Sequence, residues 1–232
     1  MTLKAIKKEV YEANLELVNR KLVIYTWGNV SAIDRVNNLV VIKPRGIEYE
    51  DLCAEDMSVV DMEGNLVEGR LLPSVDLDIH LEIYKNLESV GGIAHTHSTW
   101  ATAWCQCGRG IPVYGTTHAD HFYGEIPCTR QLTKEEVKGE YERNLGRIIC
   151  DLFKGRDPLA MGAVLTAGHG PFTWGKDAKA AVEHSVILEE LAKMAKLSLD
   201  IAGGNCPLLP DFMTEKHYTR KYGANSYFYQ SK

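Results

Sequence analysis

The stretch GGIAHTHSTW, residues 91 to 100, is an apolar run that ends in two histidines. A short apolar run that begins with glycines is typical of a strand in the core of a sheet. Residues i and i+2 of a strand point to the same face, so His95 and His97 present both imidazoles on one side, with Cβ atoms about 7 Å apart. One metal ion can bind both rings, although an HxH pair alone more often marks polar residues that are satisfied at a strand end.

Two further side chains are candidates to complete a metal site. A catalytic zinc takes about three protein ligands from His, Asp and Glu and leaves one position open. Asp76 begins the helix predicted before the HTH strand, where a carboxylate can equally be a plain N-cap. His169 lies between glycines in AGHGPF, where the chain must bend and where a histidine can also be an ordinary turn residue. His80 competes as a ligand but ranks below His169, because a helical position four residues after Asp76 can face the core.

The composition and charge of the chain favour a globular protein and argue against nucleic-acid binding. The 232 residues are 45% hydrophobic, and the net charge of −5 is spread over interspersed acidic and basic residues. This pattern gives no broad basic face for nucleic acid. No apolar run reaches the length of about 18 residues that spans a bilayer, and the first residues have the spacing of an amphipathic helix rather than of a signal peptide. We therefore expect a soluble, cytoplasmic protein without a membrane partner.

The six cysteines are most simply reduced thiols. They form no CxxC motif, and no signal peptide precedes them, which is typical of a reducing compartment rather than of a disulfide framework. Cys105 and Cys107 could bind a metal as a pair. The surrounding TWATAWCQCG is more typical of a packed helix that carries small buried thiols.

The order of the predicted elements indicates an α/β fold in one domain, residues 1–232. No repeat, low-complexity segment or linker divides the chain. Helices are predicted at the amino terminus and over residues 76–87, 133 to about 152, 177 to about 199 and 211–223. Strands are predicted in LVIYTWGNVSAID, NLVVIKP, MSVVDM, VGGIAHTH, AVLTAG and GPFTWG, with IPVYG and EIPCT as short strands around the candidate site loop GTTHADHFYG. Hairpins mixed with single helices predict a mainly antiparallel sheet covered by helices.

Seven ordered motifs together resemble the class II aldolase family, in its L-ribulose-5-phosphate 4-epimerase branch (AraD type). The motifs are YTWGNVSAID, VIKPRG, LPSVD, GGIAHTHSTWATAW, GTTHADHFYGEIPCTR, HGPFTWGKDA and KHYTRKYGANSY, and they run nearly end to end. The resemblance implies an α/β/α sandwich around a mainly antiparallel sheet. It also implies a homotetramer with active sites between subunits, and a divalent metal that is usually zinc, with manganese as an alternative.

The resemblance implies roles for individual residues. Four match the family's metal ligands: Asp76, His95, His97 and His169. Asp120, in THADHF, matches the catalytic acid/base, although an Asp in a polar loop is otherwise a common turn former. Seven positions match the substrate and phosphate site: Gly28, Asn29, Lys43, Arg45, Gly46, Ser74 and Val75. His217 and Arg220 match a tail, from about residue 207, that is expected to reach a neighbouring subunit's site.

The implied reaction converts L-ribulose 5-phosphate to D-xylulose 5-phosphate, a step of arabinose catabolism. Because C4 carries no acidic C–H, the family's route breaks the C3–C4 bond, turns the aldehyde fragment and re-forms the bond on its other face. A metal acting as a Lewis acid stabilises the negative charge on the remaining fragment. The C4 oxygen needs an acid/base group on each side, and Asp120 is the candidate for one of them.

Three departures from the family pattern fall in the site itself. Arg45 replaces a serine of KPSG, and Val75 replaces the second of two serines, so two neutral hydroxyl donors to phosphate are lost. An arginine fork holds an anion firmly but takes more room, and Arg45 could also simply face solvent. In an alignment without gaps, the family's second acid/base tyrosine falls on Phe228, which has no proton to give. A shift of one residue would bring Tyr229 into its place.

These departures leave three hypotheses for the function. The leading one is a metal-dependent L-ribulose-5-phosphate 4-epimerase. The second is a related class II aldolase or epimerase that acts on a ketose with a different charged group or with none. The third is an inactive metal-binding paralogue, which would bind metal and turn over no ketose.

Overall fold

The computed structural model describes residues 2–223 and 226–227. In this part of the chain the helices are α1 (Leu3–Asn19), α2 (Leu77–Asn86), α3 (Thr99–Gln106), α4 (Thr116–Ala119), α5 (Lys134–Lys138), α6 (Tyr141–Leu152), α7 (Pro158–Met161), α8 (Ala178–Ile201) and α9 (Asp211–Tyr222). The strands are β1 (Gly28–Asp34), β2 (Leu39–Ile42), β3 (Ser58–Asp61), β4 (Leu66–Glu68), β5 (Gly92–Thr96), β6 (Ala163–Leu165) and β7 (Pro171–Gly175). None of the described helices is long and apolar enough to cross a membrane.

The strands of the described chain form one seven-stranded antiparallel sheet. Their order is β4-β3-β2-β1-β5-β7-β6. The β1–β2 hairpin turns at Asn38, whose φ of 53° is the left-handed conformation that asparagine tolerates better than most residues. Strand β5, which carries His95, lies inside the sheet between β1 and β7 and is buried along its whole length. The predicted mainly antiparallel sheet is therefore confirmed.

Helices cover both faces of the sheet, as an α/β/α sandwich requires. On one face, α1 and the start of α8 pack against apolar side chains such as Val30, Val41 and Ala94. On the other face, α2, α3 and α6 enclose a second core that contains Ile93 and Phe172. Alternate residues of one strand enter different cores, because successive side chains of a strand point to opposite faces.

Glycines at the start of β5 allow α8 to cross the sheet closely. A Cβ at Gly92 would lie 2.3 Å from the carbonyl carbon of Asp177, and one at Gly91 would lie 2.0 Å from the carbonyl oxygen of Lys176. Asp177 caps α8 by accepting a hydrogen bond from the Ala180 N–H at 2.7 Å. The two glycines before the histidines therefore serve packing between the helix and the sheet.

Several predicted element boundaries are wrong. IPVYG and EIPCT do not form strands, because they make only isolated bridges, between Ile111 and Ile126 and between Cys128 and Leu165. The predicted loop GTTHADHFYG contains α4. The helix predicted from 133 to about 152 is broken into α5 and α6 at Gly139, whose backbone is not helical. Residues 22–27 turn before β1 begins at Gly28, and β4 has no counterpart in the prediction.

Candidate metal centre

Three histidines meet at the end of β5. His95 lies on β5, His97 follows the strand by one residue, and His169 lies on the turn between β6 and β7. One ligand nitrogen from each ring can be chosen so that all three lie within 4.8 Å of one another. His95 on β5 pairs with Phe172 on β7, so the turn between β6 and β7 lies at the end of β5. The sheet thus joins residues that lie more than 70 positions apart in sequence.

Hydrogen bonding orients the His95 ring toward the other two. Its Nδ1 lies 2.9 Å from the carbonyl oxygen of Pro171, so Nδ1 carries the proton and Nε2 keeps its lone pair. The Phe172 ring stacks on it with centroids 4.2 Å apart. His95 Nε2 lies 3.1 Å from His97 Nε2. Two nitrogens that bind tetrahedral zinc at about 2.0–2.1 Å would lie about 3.3 Å apart, so the pair fits a divalent metal.

The protonation of the other two rings also suits a metal. His169 Nδ1 is buried and has no hydrogen-bond partner in the described chain. Burial, followed by the neighbouring His95, lowers the pKa of His169 to about 4. The same two causes lower the pKa of His97. Both rings are therefore neutral near pH 7, which is the form that binds a metal ion.

Gly170 allows the turn that carries His169 to lie against β5. A Cβ on this residue would lie 2.6 Å from the carbonyl oxygen of Thr96 and 3.1 Å from Cε1 of His95. Gly168, on the other side of His169, has a φ of 77°, which side chains other than glycine rarely adopt. The glycines that flank His169 are thus needed for its position.

Asp76 lies beside the three histidines but outside their 4.8 Å group. It occupies the N-cap position of α2, yet its side chain makes no capping hydrogen bond. Its Oδ2 instead accepts a hydrogen bond from Nδ2 of Asn29 at 2.7 Å. Burial raises the pKa of Asp76, but His95, His80 and His169 together with Asn29 outweigh it, so the pKa lies below its ordinary value. The carboxylate is ionised and lies near enough to His95 and His169 for these rings to affect its pKa.

Three of the residues predicted to bind substrate are joined by hydrogen bonds beside Asp76. Asn29 Nδ2 also lies 3.1 Å from the Ser74 hydroxyl, and the Ser74 N–H donates to the Lys43 carbonyl at 3.1 Å. These contacts join the start of β1, the end of β2 and the loop before α2. The Lys43 ammonium is directed elsewhere, since it donates to the Ile47 carbonyl at 2.8 Å. Burial lowers its pKa.

Glycine and exposed side chains complete this group of predicted substrate residues. A Cβ on Gly28 would lie 2.8 Å from the His95 carbonyl oxygen, so β1 approaches β5 closely there. Gly46 has a φ of 74° and open space around it. Arg45 and Val75 are exposed, and the Arg45 guanidinium makes no hydrogen bond or ion pair within the described chain. Its charge is therefore available to an anion.

Asp120 belongs to a second cluster, on α4 and α9. The Arg220 fork donates from Nε to Oδ1 at 3.0 Å and from Nη2 to Oδ2 at 2.8 Å. His217 Nδ1 lies 3.1 Å from Oδ1. Burial raises the pKa of Asp120, but these two hydrogen-bonding partners lower it below its ordinary value. Asp120 is thus an ionised carboxylate held in a fixed orientation.

The second cluster stands apart from the histidines. Within the described residues, no hydrogen bond or ion pair joins Asp120 to His95, His97 or His169. The structure places His217 and Arg220 on Asp120 of their own chain, and whether this cluster reaches a neighbouring subunit stays a prediction. Phe228 and Tyr229, the candidates for the second acid/base, lie outside the described residues.

Sequence reasoning missed the residues that support the histidines. Phe172 and Gly170 lie in the quoted AGHGPF motif, but their contacts with His95 depend on the register between β5 and β7. The pair of glycines around His169 was the one available signal. His80, the competing ligand, lies in the core with its Nδ1 2.7 Å from the Ser31 hydroxyl.

Comparisons with known proteins show what this chain is similar to. A family model described as the class II aldolase and adducin N-terminal domain matches residues 8–196. The curated L-ribulose-5-phosphate 4-epimerase UlaF of Salmonella paratyphi A (strain ATCC 9150 / SARB42) is 51% identical over 225 residues, which cover 97% of this chain and 98% of that protein. The protein of the same name from Salmonella typhi is equally similar.

Solved structures show the same fold. An L-fuculose 1-phosphate aldolase superposes with a TM-score of 0.80 at 26% identity, over 96% of this chain and 98% of its own. The L-fuculose 1-phosphate aldolase from Glaciozyma antarctica PI12 superposes with a TM-score of 0.75 at 19% identity, over 93% of this chain and 81% of its own.

Proposed function

The chain belongs to the class II aldolase family, and we propose that it is a metal-dependent L-ribulose-5-phosphate 4-epimerase. The observation that carries this proposal is the cluster of His95, His97 and His169 within 4.8 Å. It lies in a chain that is 51% identical, over 97% of its length, to a protein named as such an epimerase. The enzyme converts L-ribulose 5-phosphate to D-xylulose 5-phosphate.

The three histidines and Asp76 would hold the divalent metal, zinc or manganese. When bound, the cation supplies a Lewis acid that stabilises negative charge on the substrate oxygens as the C3–C4 bond breaks. Neutral imidazole ligands add no negative charge, so they do not reduce the positive charge of the cation. Asn29 and Ser74 orient the carboxylate of Asp76, through the hydrogen bond from Asn29 and a 3.4 Å contact of the Ser74 hydroxyl.

The substrate's phosphate is held at the edge where β1, β2 and the loop before α2 meet. The seven residues proposed to form this site are Gly28, Asn29, Lys43, Arg45, Gly46, Ser74 and Val75. The Arg45 guanidinium, which has no hydrogen-bond or ion-pair partner among the described residues, can bind a phosphate with two parallel N–H donors. Gly28 and Gly46 allow close approach to the backbone, since neither carries a side chain.

Proton transfer at the C4 oxygen is assigned to Asp120 on one side. Arg220 and His217 favour its ionised form, so it is ready to accept a proton from the C4 hydroxyl. The second acid/base is proposed to be Tyr229, through a shift of one residue from Phe228.

Within the described residues Asp120 makes no hydrogen bond or ion pair with the three histidines, and this supports a site shared between subunits. We infer a homotetramer in which the histidines of one subunit face Asp120, His217 and Arg220 of a neighbour. The chain would act as one domain, residues 1–232, with the tail from about residue 207 reaching the neighbouring site. The six cysteines are free, which supports a reducing, cytoplasmic location, and the reaction fits arabinose catabolism.

The experiment that tests the function is direct conversion of the substrate. Purified protein, stripped with a chelator and reloaded with zinc or manganese, is incubated with L-ribulose 5-phosphate, and the products are followed by ¹³C NMR. We expect D-xylulose 5-phosphate from the reloaded protein and almost none from the stripped protein. Loaded protein that leaves L-ribulose 5-phosphate unchanged would overturn the proposal.

Arg45 and Val75 favour a second candidate, a related aldolase or epimerase for another ketose. Two hydroxyl donors are absent, and an unpaired cation and an apolar side chain stand in their place. Such an enzyme would take a ketose with a different charged group or with none. Cleavage of another ketose into two fragments, without D-xylulose 5-phosphate from the first substrate, would favour this candidate. Turnover of any ketose would exclude the inactive paralogue.

A further inference from the structure

A buried hydrogen-bond chain links α2 and β1 beside the candidate metal centre. The Ser31 hydroxyl on β1 lies 2.8 Å from the Tyr84 hydroxyl and 2.7 Å from Nδ1 of His80. All three residues are fully buried. The proposed reaction uses none of them, although His80 and Tyr84 lie on the same helix that begins after Asp76.

The hydrogen-bond partners determine which way each proton points. The Ser31 hydroxyl is the only side-chain hydrogen-bond partner of the Tyr84 hydroxyl in the described chain, so Ser31 is the acceptor available for the Tyr84 proton. Ser31 then donates its proton to Nδ1 of His80, which must be the unprotonated nitrogen. The reverse order would leave two buried groups without partners, the Tyr84 hydroxyl proton and the Nε2 lone pair of His80, whereas this order leaves one.

This order places the His80 proton on Nε2. Burial lowers the pKa of His80 to about 3, so the ring is neutral near pH 7 and has a single N–H. Nε2 is buried and has no hydrogen-bond partner within the described chain. A buried donor without a partner is rare in folded proteins, so the Nε2–H group calls for an acceptor that can reach it.

Asp76 is a carboxylate acceptor on the same side of α2 as His80. It precedes His80 by four residues, which places both side chains on one face of the helix. The Asp76 carboxylate and the His95 ring are the two ionisable groups that affect the pKa of His80. The Phe172 ring, which stacks on His95, also contacts His80 edge-on, with centroids 5.9 Å apart.

We propose that His80 is a positioning residue, held by Tyr84 and Ser31 in the Nε2–H tautomer so that it can donate to the Asp76 carboxylate. It keeps that carboxylate in the orientation that the metal centre requires. Hydrogen bonds of this kind, from outside the ligand set, commonly change metal affinity by about 10- to 100-fold. The inference rests on the metal centre of the proposed function and not on the identity of the sugar.

The first test is the tautomer itself, read from ¹⁵N NMR of the histidine rings in the metal-free protein. The His80→Gln variant assigns the His80 signals by their disappearance. We expect a single Nε2–H form that becomes a mixture in Ser31→Ala. A wild-type His80 with its proton on Nδ1 would overturn the inference.

The second test is zinc affinity, measured by competition with a chromophoric chelator. We expect Ser31→Ala and Tyr84→Phe to weaken zinc binding several-fold, and His80→Phe to weaken it by about 10-fold or more. The matched control is Ser185→Ala, which removes the buried hydrogen bond to Thr173 on the opposite face of the sheet. We expect it to lower the melting temperature and leave zinc affinity unchanged.

The outcomes separate this inference from the proposed function. If Ser31→Ala lowers the melting temperature as the control does but binds zinc like wild type, the network is merely structural and the inference fails. If the zinc pattern holds while wild type leaves L-ribulose 5-phosphate unchanged, the proposed function fails and the inference is supported.

Discussion

Replacing Gly170 with alanine should weaken metal binding although no metal ligand is replaced. The new Cβ would lie 2.6 Å from the Thr96 carbonyl oxygen and 3.1 Å from Cε1 of His95. Ordinary contact needs about 3.5 Å, so the turn or the end of β5 must move by about 0.9 Å. Metal ligands tolerate displacements of only about 0.5 Å before affinity suffers.

The size of the loss follows from the strain. Overpacking of this kind costs about 1–3 kcal/mol. The metal-free variant can relieve part of this strain by a shift of His95, whereas metal binding requires His95 in its wild-type position. If the bound state carries all the strain, zinc affinity falls by about 5- to 140-fold, since about 1.4 kcal/mol corresponds to a factor of ten.

The assay compares zinc affinity of Gly170→Ala with that of Gly115→Ala by chelator competition. Gly115 has no atom within 4 Å of an added Cβ and an extended φ of −153°, so alanine should fit there. Circular dichroism reports whether both variants fold. Zinc binding by folded Gly170→Ala within twofold of wild type would refute the argument that this glycine is needed for the position of the histidines.

Three further predictions concern the elements around the site. Gly92→Ala should lower the free energy of unfolding by about 3 kcal/mol in urea titrations, since its Cβ would meet the Asp177 backbone, and an unchanged midpoint would contradict this. Asp120→Asn should lower the unfolding free energy at pH 7. The pKa of Asp120 is lower in the folded protein than in the unfolded chain, where it is about 3.9, so ionised Asp120 stabilises the fold above that pH. This stabilisation is lost as the pH falls through the folded-state pKa. The unfolding free energies of Asp120→Asn and wild type should therefore converge in acid. Glu189→Ala should cost about 1–2 kcal/mol by calorimetry, because the carboxylate accepts the Trp100 and Ala101 N–H groups at the start of α3; equal stability would rule out that cap.

The sheet and its helices follow from local patterns in the sequence. Apolar residues with period two or near 3.6 marked the strands and helices, because burial on one face imposes that period. Prediction failed for elements that depend on distant partners. Ile111 and Ile126 are β-like residues, yet they pair only with each other. Gly139 breaks a helix that its neighbours would otherwise continue, since glycine costs about 1 kcal/mol there.

The candidate site was predictable only where a motif spans a few residues. HTH placed two imidazoles on one face through strand geometry alone. That His169 joins them depends on the register between β5 and β7, which local sequence does not specify. The contact of Asp120 with His217 and Arg220 joins positions about 100 residues apart through the packing of α9 on α4, and the resemblance to the family gave no sign of it.

The measurement that tests the account most directly is anomalous diffraction at the zinc edge from crystals grown with zinc. We predict one strong peak per chain, bound by His95, His97 and His169, with the Asp76 carboxylate facing it. A map without a peak at these three rings, from protein that is folded and saturated with zinc, would contradict the central claim.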